Sequence, residues 1–511
     1  MKKSLFILSI AAAALWSCSS DNDAAEKQST KAQAYVSFNI IGAEDAKTRT
    51  AGTKEETDLA TESTITKALV LLCEPSTGVI KQKVAADNLD QTAAGYETKR
   101  LQVETGTFDV YVVANYTAAL NTSITTGTTK VSDLKIADYT EDDVKGGIAK
   151  DNNFLMFSEC DGKDKTAGTS ITITESNDYD HPATCDAIVV ERLVAKIRSA
   201  AATSVDISKI NTGTAAPASF ISGVSLEGYK LLNGAKNSYV QQRWSANYNA
   251  GLVNDLISSP AKTPGDNATT NTEYYNNLQS LRTIVSSATE TYTTVKDNYD
   301  SYAYYNASTP TGVIYCLENN SNYTDGTGIV DSKMANTTGL IYKWKATVTG
   351  SDAKAGTNCF YGYNGYYFAT LEAIQTKYPT VFTAKSSTLA AAQSEVATAY
   401  NGGTVDQAKM SDFRSKYNIK VYTDGIMYYT HYIKDQNYKN TATTPVNYYA
   451  VLRNTIYDLT VTALQGVGTD VPGGWNPDVN PDDNVDTKKV YMLVDVKVKD
   501  WKLSTESITL K

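Results

Sequence analysis

Short segments of alternating apolar and polar residues, bounded by stretches rich in Gly, Asn, Asp and Thr, constrain the fold of this chain most strongly. The first such segment, Ala34–Ile41, carries apolar side chains at every second position, at Val36, Phe38 and Ile40. Side chains alternate between the two faces of a strand, so this pattern predicts a strand with one buried face. A chain made of such segments has to pair them into sheets before it can bury a core.

Similar segments recur along the whole chain. In the first half, strands are predicted at Ile65–Cys73, Leu101–Glu104, Thr107–Ala114, Ser170–Thr174, Ala187–Val190 and Val190–Arg198. In the second half, strands are predicted at Ser219–Leu226, Ile419–Tyr422, Gly425–Ile433, Tyr449–Leu452, Ile456–Thr462 and Val490–Trp501. The composition agrees, because the chain has 35 Tyr against 10 Phe, and Tyr, Thr and Val favour strands. The spacing of strands and turns predicts a mainly β protein of the β-sandwich type.

The length of the chain and one change in composition suggest its domains. A chain of 511 residues usually forms two to four domains. A stretch rich in Thr, Gly, Ala and Pro at 211–217 marks the predicted boundary between an N-terminal domain, 50–210, and a C-terminal domain, 211–511. Within the second domain, residues 242–400 are rich in Tyr and Asn and have weak helical patterning, so they are predicted to form a partly helical insertion.

The first residues are typical of an export signal. Lys2 and Lys3 precede an apolar run, Leu5–Leu15, that is too short to span a bilayer permanently. The run ends in Leu-Trp-Ser-Cys, which resembles a bacterial lipobox. Residues 1–18 are therefore predicted to be a lipoprotein signal peptide, with Cys18 carrying the lipid. An ordinary secretory signal with an incidental cysteine is the alternative, and it also predicts export.

Composition argues against several classes of function. A net charge of -9 and a pI of about 5.0 argue against a nucleic-acid partner held by a basic face. The chain has two His and six Cys, and it contains no HExxH, GxSxG, Walker, GxGxxG or CxxC motif. The acidic loop at 478–486 lacks the glycine and the final acidic residue of a calcium loop. The sequence therefore predicts no enzyme, no metal site and no cofactor, and it leaves open a disulfide between two cysteines.

A polar loop of small residues, 42–64, follows the first strand and contains Arg49. Loops of this kind are preferred sites of proteolysis. A trypsin-like cut between Arg49 and Thr50 would separate residues 19–49, a propeptide that includes the first strand, from the rest of the chain. An ordinary exposed arginine is the alternative, and the residues alone favour it.

The C-terminal segment also alternates, with Val494, Val496 and Val498 on one face and charged residues on the other. A terminal strand of this kind can complete its own sheet or pair with another molecule, because an exposed strand edge is a template for pairing. The loop 466–487, rich in Gly, Pro, Asp and Asn, would let such a strand swing away. A second short strand, Ile508–Leu510, is predicted to follow it.

Several short motifs, taken in order, resemble those of the Bacteroidales fimbrillin family. They are the lipobox ending at Cys18, Arg49 after a short strand, Val190–Ile197, Tyr449–Leu459 and Val496–Trp501. The resemblance spans both halves of the chain and leaves 242–400 unmatched. It implies two transthyretin-like β-sandwich domains, export as a lipoprotein held in the outer membrane by its lipid, and cleavage at Arg49 by an arginine-specific surface protease.

The resemblance also implies polymerisation by strand exchange. Loss of the strand that carries Val36, Phe38 and Ile40 would open a groove for the C-terminal strand, residues 488–511, of a neighbouring copy. The implied donor residues are Val490, Met492, Val494, Val496, Val498, Trp501, Ile508 and Leu510. We therefore expect a structural subunit of a cell-surface fimbria that polymerises with itself. The resemblance further suggests contacts with accessory fimbrial subunits and with host or bacterial surface ligands, and roles in adhesion, biofilm formation and virulence.

Two alternatives stay open. One is a tip or anchor subunit of a fimbria, and the other is a lipid-anchored glycan- or protein-binding lipoprotein that does not polymerise. Sugar binding would use aromatic side chains, and the candidates are Trp244, Trp344, Tyr361, Tyr363, Tyr366 and Tyr367. The sequence fixes neither the adhesion ligand nor the position of the subunit along a fimbria.

Overall fold

The computed structural model describes residues 32–42, 56–57, 60–93, 95–159, 168–211, 220–244, 256–257, 274–277, 312–321, 324–325, 328–329, 332–352, 358–401, 404–435, 449–472, 483–485 and 492–502. Strands predominate over helices among these residues, so the mainly β class predicted from the sequence is confirmed. The division into two transthyretin-like domains stays a prediction.

The N-terminal half contributes sixteen strands among the described residues. These are β1 (Gln33–Val36), β2 (Asn39–Gly42), β3 (Glu56–Thr57), β4 (Ala68–Cys73), β5 (Ile80–Ala86), β6 (Leu89–Thr92), β7 (Gly95–Thr98), β8 (Leu101–Glu104), β9 (Gly106–Ala114), β10 (Lys135–Ile136), β11 (Ala149–Lys150), β12 (Asn153–Phe154), β13 (Met156–Ser158), β14 (Thr169–Ile173), β15 (Ile188–Arg192) and β16 (Val194–Asp206).

The strands of the C-terminal half begin at residue 221. These are β17 (Ile221–Leu232), β18 (Gly234–Ala235), β19 (Ser238–Tyr239), β20 (Arg243–Trp244), β21 (Leu256–Ile257), β22 (Tyr274–Tyr275), β23 (Ile314–Leu317), β24 (Asn319–Asn320), β25 (Thr324–Asp325), β26 (Gly328–Ile329), β27 (Gly339–Val348), β28 (Phe360–Tyr363), β29 (Tyr366–Phe368), β30 (Tyr400–Asn401), β31 (Thr404–Val405), β32 (Lys420–Tyr422), β33 (Ile426–Tyr432), β34 (Ala450–Val451), β35 (Thr455–Leu464) and β36 (Met492–Lys502).

The longest described helices lie together in the C-terminal half. The α-helices are α1 (Ala60–Ser63), α2 (Ala118–Ser123), α3 (Glu141–Asp143), α4 (Ser208–Asn211), α5 (Leu371–Lys377), α6 (Leu389–Ala399) and α7 (Gln407–Tyr417). The last three each begin at a side chain that accepts a hydrogen bond from a backbone N–H of the first turn, at Thr370, Thr388 and Asp406. Such N-caps satisfy donors that have no partner within the helix.

A nine-stranded sheet organises the N-terminal half. Its order is β5-β4-β9-β13-β15-β2-β7-β6, with β14 also paired to β9. All six residues of β4 are buried, which matches its unbroken apolar sequence Ala-Leu-Val-Leu-Leu-Cys. Cys73 at its end is buried as well. This sheet therefore supplies much of the core of the first half.

Two sheets face each other in the C-terminal half. One has the order β23-β16-β35-β36-β3, and the other has the order β17-β27-β33. The Tyr229 hydroxyl of β17 accepts a hydrogen bond from the Ser199 N–H of β16 at 2.9 Å. The Tyr342 hydroxyl of β27 shares a hydrogen bond with the Ser199 side chain at 2.7 Å. Tyrosine thus supplies both apolar packing and polar contacts between the sheets.

The predicted insertion at 242–400 stays a prediction, and the described strands within it show where parts of its chain pair. Two of its strands, β23 and β27, belong to the two facing sheets, because β23 pairs with β16 and β27 pairs with both β17 and β33. Among the described residues, the helical part is α5 to α7, which extends past residue 400 to Tyr417. From Tyr342 to Thr347 the apolar and polar residues of β27 alternate, but the Tyr- and Asn-rich composition around them obscures that signal.

The helices α5 to α7 pack around a small core of their own with β28, β29 and β32. Its fully buried members include Leu371, Ile374, Val396, Met410 and Phe413. This core is distinct from the large cluster that fills the sheets of both halves. We call residues 358–422 the helical insert.

One stretch of chain connects the sheets of the two halves. Strands β15 and β16 follow each other with only Leu193 between them. Strand β15 pairs with β13 and β2, whereas β16 pairs with β35 and β23. The change of pairing partners therefore falls at Leu193, which lies before the boundary predicted near residue 210.

Buried charged side chains stabilise this junction. The Lys196 ammonium group donates to both carboxylate oxygens of Glu62 at 2.8 Å, and both side chains are almost fully buried. The Arg192 guanidinium donates to the Glu62 backbone oxygen at 3.0 Å and to the Asn454 side chain at 3.1 Å. Burial lowers the pKa of Lys196, and the charge of Glu62 opposes that shift. Glu62 thus fixes α1 against β15 and β16.

Substitution Glu62→Ala is expected to destabilise the protein by about 3–5 kcal/mol, because it leaves the Lys196 ammonium buried without its counter-charge. The measurement is the urea unfolding midpoint followed by circular dichroism. Asp90→Ala is the matched control, because it breaks the exposed Lys99–Asp90 pair; that variant should unfold with the wild-type midpoint. Equal midpoints for the two variants would contradict the role of Glu62.

Candidate functional site

The first described strands lie in two different sheets. Strand β1 pairs antiparallel with β8 in a separate two-stranded sheet. Strand β2 lies inside the nine-stranded sheet, where it pairs parallel with β15 and antiparallel with β7. The chain crosses from one sheet to the other at Ser37 and Phe38. Residues 33–42, which we call the N-terminal strand pair, therefore complete both sheets.

The segment 177–183 lies along the outer edge of β1. The Tyr35 N–H donates to the Asn177 carbonyl oxygen at 2.8 Å, and the Tyr35 carbonyl accepts from the Ala183 N–H at 2.8 Å. The Ser37 N–H donates to the Ala183 carbonyl oxygen at 3.0 Å. With β8 on the other side, β1 is hydrogen bonded along both edges, so its removal would leave backbone groups unpaired on two neighbours.

Thr98, at the end of β7, forms hydrogen bonds with Ser37 and Phe38, where the chain crosses from β1 to β2. The Phe38 N–H donates to the Thr98 hydroxyl at 3.0 Å, and the Phe38 carbonyl accepts from the Thr98 N–H at 3.0 Å. The Ser37 hydroxyl donates to the Thr98 carbonyl oxygen at 3.1 Å. Buried backbone groups are costly when unpaired, so these contacts allow the chain to change sheets inside the protein.

The apolar side chains of the N-terminal strand pair are buried. Ala34, Val36, Phe38 and Ile40 are each at most 1% exposed. The alternation predicted from the sequence is therefore present, although Ser37, on the other face, is buried as well. Full burial of a Val, Ile or Phe side chain contributes about 1.5–3 kcal/mol, so this short segment fills pockets that matter to the whole half.

Gly95 of β7 shapes the position that β2 occupies. Its φ is +129°, and a Cβ atom there would lie 2.5 Å from the Ile40 carbonyl oxygen and 2.9 Å from the Ile41 side chain. Only glycine permits this backbone approach. An isolated glycine within a strand pattern can indicate such a close approach. The sequence analysis does not predict this role for Gly95, nor the roles of Thr98 and Ala183.

The C-terminal strand is part of its own sheet. Strand β36 pairs antiparallel with β35 from Met492 to Asp500. On its other edge, within the part of the chain that the structure describes, it meets only the two-residue strand β3, opposite Trp501 and Lys502. Among the described residues, most of this outer edge therefore has no strand beside it, and an exposed strand edge is a template for further pairing.

The side chains of β36 alternate as predicted where they are described. Val494 and Val496 are partly buried against the main core, whereas Leu493, Asp495 and Lys497 are exposed. The charged edge residues oppose unspecific pairing between sheets. The side chains of Val498 and Trp501 lie outside the described residues, as do Val490, Ile508 and Leu510.

The predicted processing residues also lie outside the described residues. These are Cys18, Arg49 and Thr50. In the sequence, Arg49 lies between the end of β2 at Gly42 and the start of β3 at Glu56. A cut there would separate the N-terminal strand pair from every later strand.

The described residues give no arrangement for thiol or metal chemistry. Cys73, Cys185, Cys316 and Cys359 are free thiols. Burial raises the pKa of Cys73 and Cys316 to about 12 and that of Cys185 and Cys359 to about 11, so little thiolate forms at neutral pH. No group of His, Cys, Asp and Glu that could hold a metal ion occurs in the described part of the chain. The helices described there are all too short or too polar to cross a membrane.

The aromatic residues considered for sugar stacking differ in burial. Trp344 and Tyr361 are buried in the core and are inaccessible to a ligand. Tyr363, Tyr366 and Tyr367 are partly buried around the β28–β29 hairpin. The side chain of Trp244 lies outside the described residues. The five candidates whose side chains are described therefore do not form one fully exposed aromatic platform.

Comparison with known families finds a match in each half of the chain. Residues 34–190 match the family model described as major fimbrial subunit protein (FimA). Residues 420–507 match the model described as major fimbrial subunit protein type IV, fimbrillin, C-terminal. The first match begins with the N-terminal strand pair, and the second contains β33, β35 and β36. Both ends of the chain are thus similar to major subunits of fimbriae. More particularly, the resemblance to the fimbrillin family is confirmed.

Solved structures show more distant likeness. A proposed cell adhesion protein from Parabacteroides distasonis is 13% identical, with a TM-score of 0.46 over 92% of this chain and 100% of that one. The fimbrilin of Porphyromonas gingivalis is 15% identical, with a TM-score of 0.39 over 92% and 98%. The tip fimbrial protein Mfa3 of the same species is 11% identical, with a TM-score of 0.34 over 92% and 100%. No curated protein matched the chain significantly.

Substitution Phe38→Ala is expected to destabilise the uncut protein by about 3–5 kcal/mol, because it empties a buried pocket where the chain crosses between sheets. Gln33→Ala, at an exposed position of β1, is the control and should change stability by less than about 0.5 kcal/mol. Urea unfolding of both variants checks this expectation. A Phe38→Ala protein as stable as the control would show that the pocket is not part of the folded core.

Proposed function

We propose that this protein is the structural subunit of a fimbria and polymerises by strand exchange after cleavage between Arg49 and Thr50. The N-terminal strand pair would leave, and the C-terminal strand of a neighbouring copy would take its place. One observation carries the proposal: residues 33–42 complete two sheets, yet in the sequence they join the later strands only through the segment that contains Arg49.

The free-energy cost of an empty groove supports replacement of the N-terminal strand pair by another strand rather than its simple loss. Departure of the N-terminal strand pair would uncover pockets for Val36, Phe38 and Ile40 and would leave backbone groups unpaired. Each buried group left unsatisfied costs about 1–3 kcal/mol. An incoming strand restores the apolar contacts and the hydrogen bonds together, as in donor-strand complementation. Before cleavage, the resident strand keeps the groove occupied and prevents early assembly.

The open edge of β36 supports its role as the donor. Its apolar face carries Val494 and Val496, and its backbone is largely unpaired on one side among the described residues. In the proposed donor strand, Val490, Met492, Val498, Trp501, Ile508 and Leu510 supply the remaining apolar side chains.

The remaining parts of the proposal concern location and partners. Lipid on Cys18 would hold the precursor in the outer membrane until an arginine-specific surface protease cuts it. The polymer would associate with accessory fimbrial subunits and contact host or bacterial surface ligands in adhesion and biofilm formation. The fimbrial family matches at both ends of the chain support self-assembly more strongly than a role as an isolated binding lipoprotein.

Substitution Arg49→Lys is expected to leave a folded, monomeric precursor after treatment with an arginine-specific protease, because the charge is kept but the recognised residue is lost. Arg100→Lys, at another exposed arginine, is the matched control and should be cut and polymerise like wild type. Ladders on gels of unboiled samples report polymers, and N-terminal sequencing reports whether the product starts at Thr50. Fibres formed by protease-treated Arg49→Lys protein would refute the proposal.

Deletion of residues 490–511 is expected to permit cleavage at Arg49 but to stop elongation, because the groove then has no incoming strand. Electron microscopy and ladders of unboiled samples check this. Mixing the deleted protein with cleaved wild-type protein serves as the control, since the truncated copy can still accept a strand and should end a growing chain. Normal ladders from the truncated protein alone would contradict the donor role.

A further inference from the structure

The helical insert contacts the chain that leads into the C-terminal strand. Arg414 of α7 forms an ion pair with Asp470, with 2.7 Å between Nε and Oδ2, and the two side chains are 2% and 0% exposed. The Val421 N–H of β32 donates to the same carboxylate oxygen at 3.2 Å, and Arg414 donates to the Val421 carbonyl oxygen at 2.8 Å. Three separate segments therefore meet at one buried pair of charges.

Further contacts hold the same stretch, 466–472. The Tyr422 hydroxyl donates to the Gly468 carbonyl oxygen at 2.9 Å, and the Tyr429 hydroxyl donates to the Gly466 carbonyl oxygen at 2.9 Å. Tyr428 and Thr469 exchange two backbone hydrogen bonds, each 2.9 Å long. Such a set of contacts is typical of a fixed segment rather than of a free linker.

Gly468 shows how closely this stretch is packed. A Cβ atom there would lie 2.5 Å from the Tyr428 carbonyl oxygen and 2.9 Å from the Tyr429 ring. The neighbouring Val467 and Val471 are both buried. The segment is therefore built into the protein and does not lie on its surface.

A second fixed point follows at 483–485. The Met334 N–H donates to the Asp483 carbonyl oxygen at 3.0 Å, and the Val485 N–H donates to the Ser332 carbonyl oxygen at 3.0 Å. The Lys333 ammonium group also donates to the Asn484 side chain. The sequence predicts a loop at 466–487 that lets the last strand swing away, but the structure ties that loop down at two places.

We propose that two contacts anchor the root of the C-terminal strand, Arg414 of the helical insert with Asp470 and residues 332–334 with residues 483–485, so that only the chain after Val485 moves when the strand is donated. This inference rests on the proposed function. A free linker over 465–491 could extend to about 90 Å, whereas residues 486–491 alone span at most about 20 Å. The anchor thus holds the donor strand close to its own subunit and fixes the spacing between neighbours. A short tether also raises the effective concentration of correctly placed strands.

Hydrogen–deuterium exchange of the uncut monomer tests the anchor directly. In Asp470→Ala, amides of 466–472 are expected to exchange at least tenfold faster, while those of β35 keep the wild-type rate. Tyr422→Phe, which removes one hydroxyl, is the milder variant and should accelerate the same amides severalfold. Lys416→Ala is the matched control, because Lys416 lies on the same helix as Arg414 and its ion pair with Glu395 of α6 is exposed; it should leave 466–472 unchanged. Unchanged exchange in both test variants, or equal acceleration throughout 358–464, overturns the inference.

Assembly provides the second readout. After cleavage, Asp470→Ala is expected to give at least fivefold less polymer above the dimer than wild type, with irregular subunit spacing in electron micrographs, while Lys416→Ala matches wild type. Wild-type and Asp470→Ala ladders of equal length, despite faster exchange at 466–472, would overturn the role in assembly. If cleaved wild-type protein forms no polymer, the proposed function fails, whereas the exchange experiment still decides whether the anchor exists.

Discussion

The pairing of the continuous strand β15–β16 is the constraint on which the rest of the structure depends. In the first half, β15 needs β2 to complete its hydrogen bonds, and in the second half, β16 needs β35. Strand β35 in turn carries β36 on its other edge. The continuous backbone of β15–β16 therefore connects the sheet that would lose β2 to the sheet that contains β36, the proposed donor. Only Leu193 lies between its two pairing regions.

Two of the motifs that resemble the family, Val190–Ile197 and Tyr449–Leu459, contain residues of this junction. In the motif around residues 449–459, the Arg453 guanidinium is fully buried, lies 2.6 Å from the Glu318 carboxylate and donates to the Val240 carbonyl oxygen. Asn454 has a positive φ of 50° and accepts from Arg192. A buried charge is costly without partners, so Arg453 fixes contacts within the C-terminal half. Asn454 beside it links that half to Arg192 of β15.

The sequence predicted strands better than it predicted their partners. Alternation identified the faces of Ala34–Ile41 correctly, because the period of a strand depends only on local geometry. It gave no sign that the chain changes sheets at Ser37, since that depends on Thr98 and Ala183, which are 61 and 146 positions away. The same reason explains the loop at 466–487. Its Gly, Pro and Asp residues are typical of a free linker, and only the fold brings Arg414 to Asp470.

In the proposed assembly, the cut does not alter the groove that residues 33–42 occupy. It changes how well those residues compete for the groove with the donor strand of a neighbouring copy. While residues 43–55 are intact, the N-terminal strand pair is part of the same molecule, and its local concentration at the groove exceeds that of any neighbour. After the cut it becomes a separate short peptide, and a donor held on a short tether by a neighbouring subunit competes with it on equal terms. The donor has a further advantage, since β36 with the segment after it is longer than the pair β1 and β2.

The buried Glu62 limits the loss to the chain before α1, because the Lys196 ion pair keeps the remaining N-terminal residues attached to the junction. Cleavage would thus open one groove without loosening the strand that connects the groove to the donor.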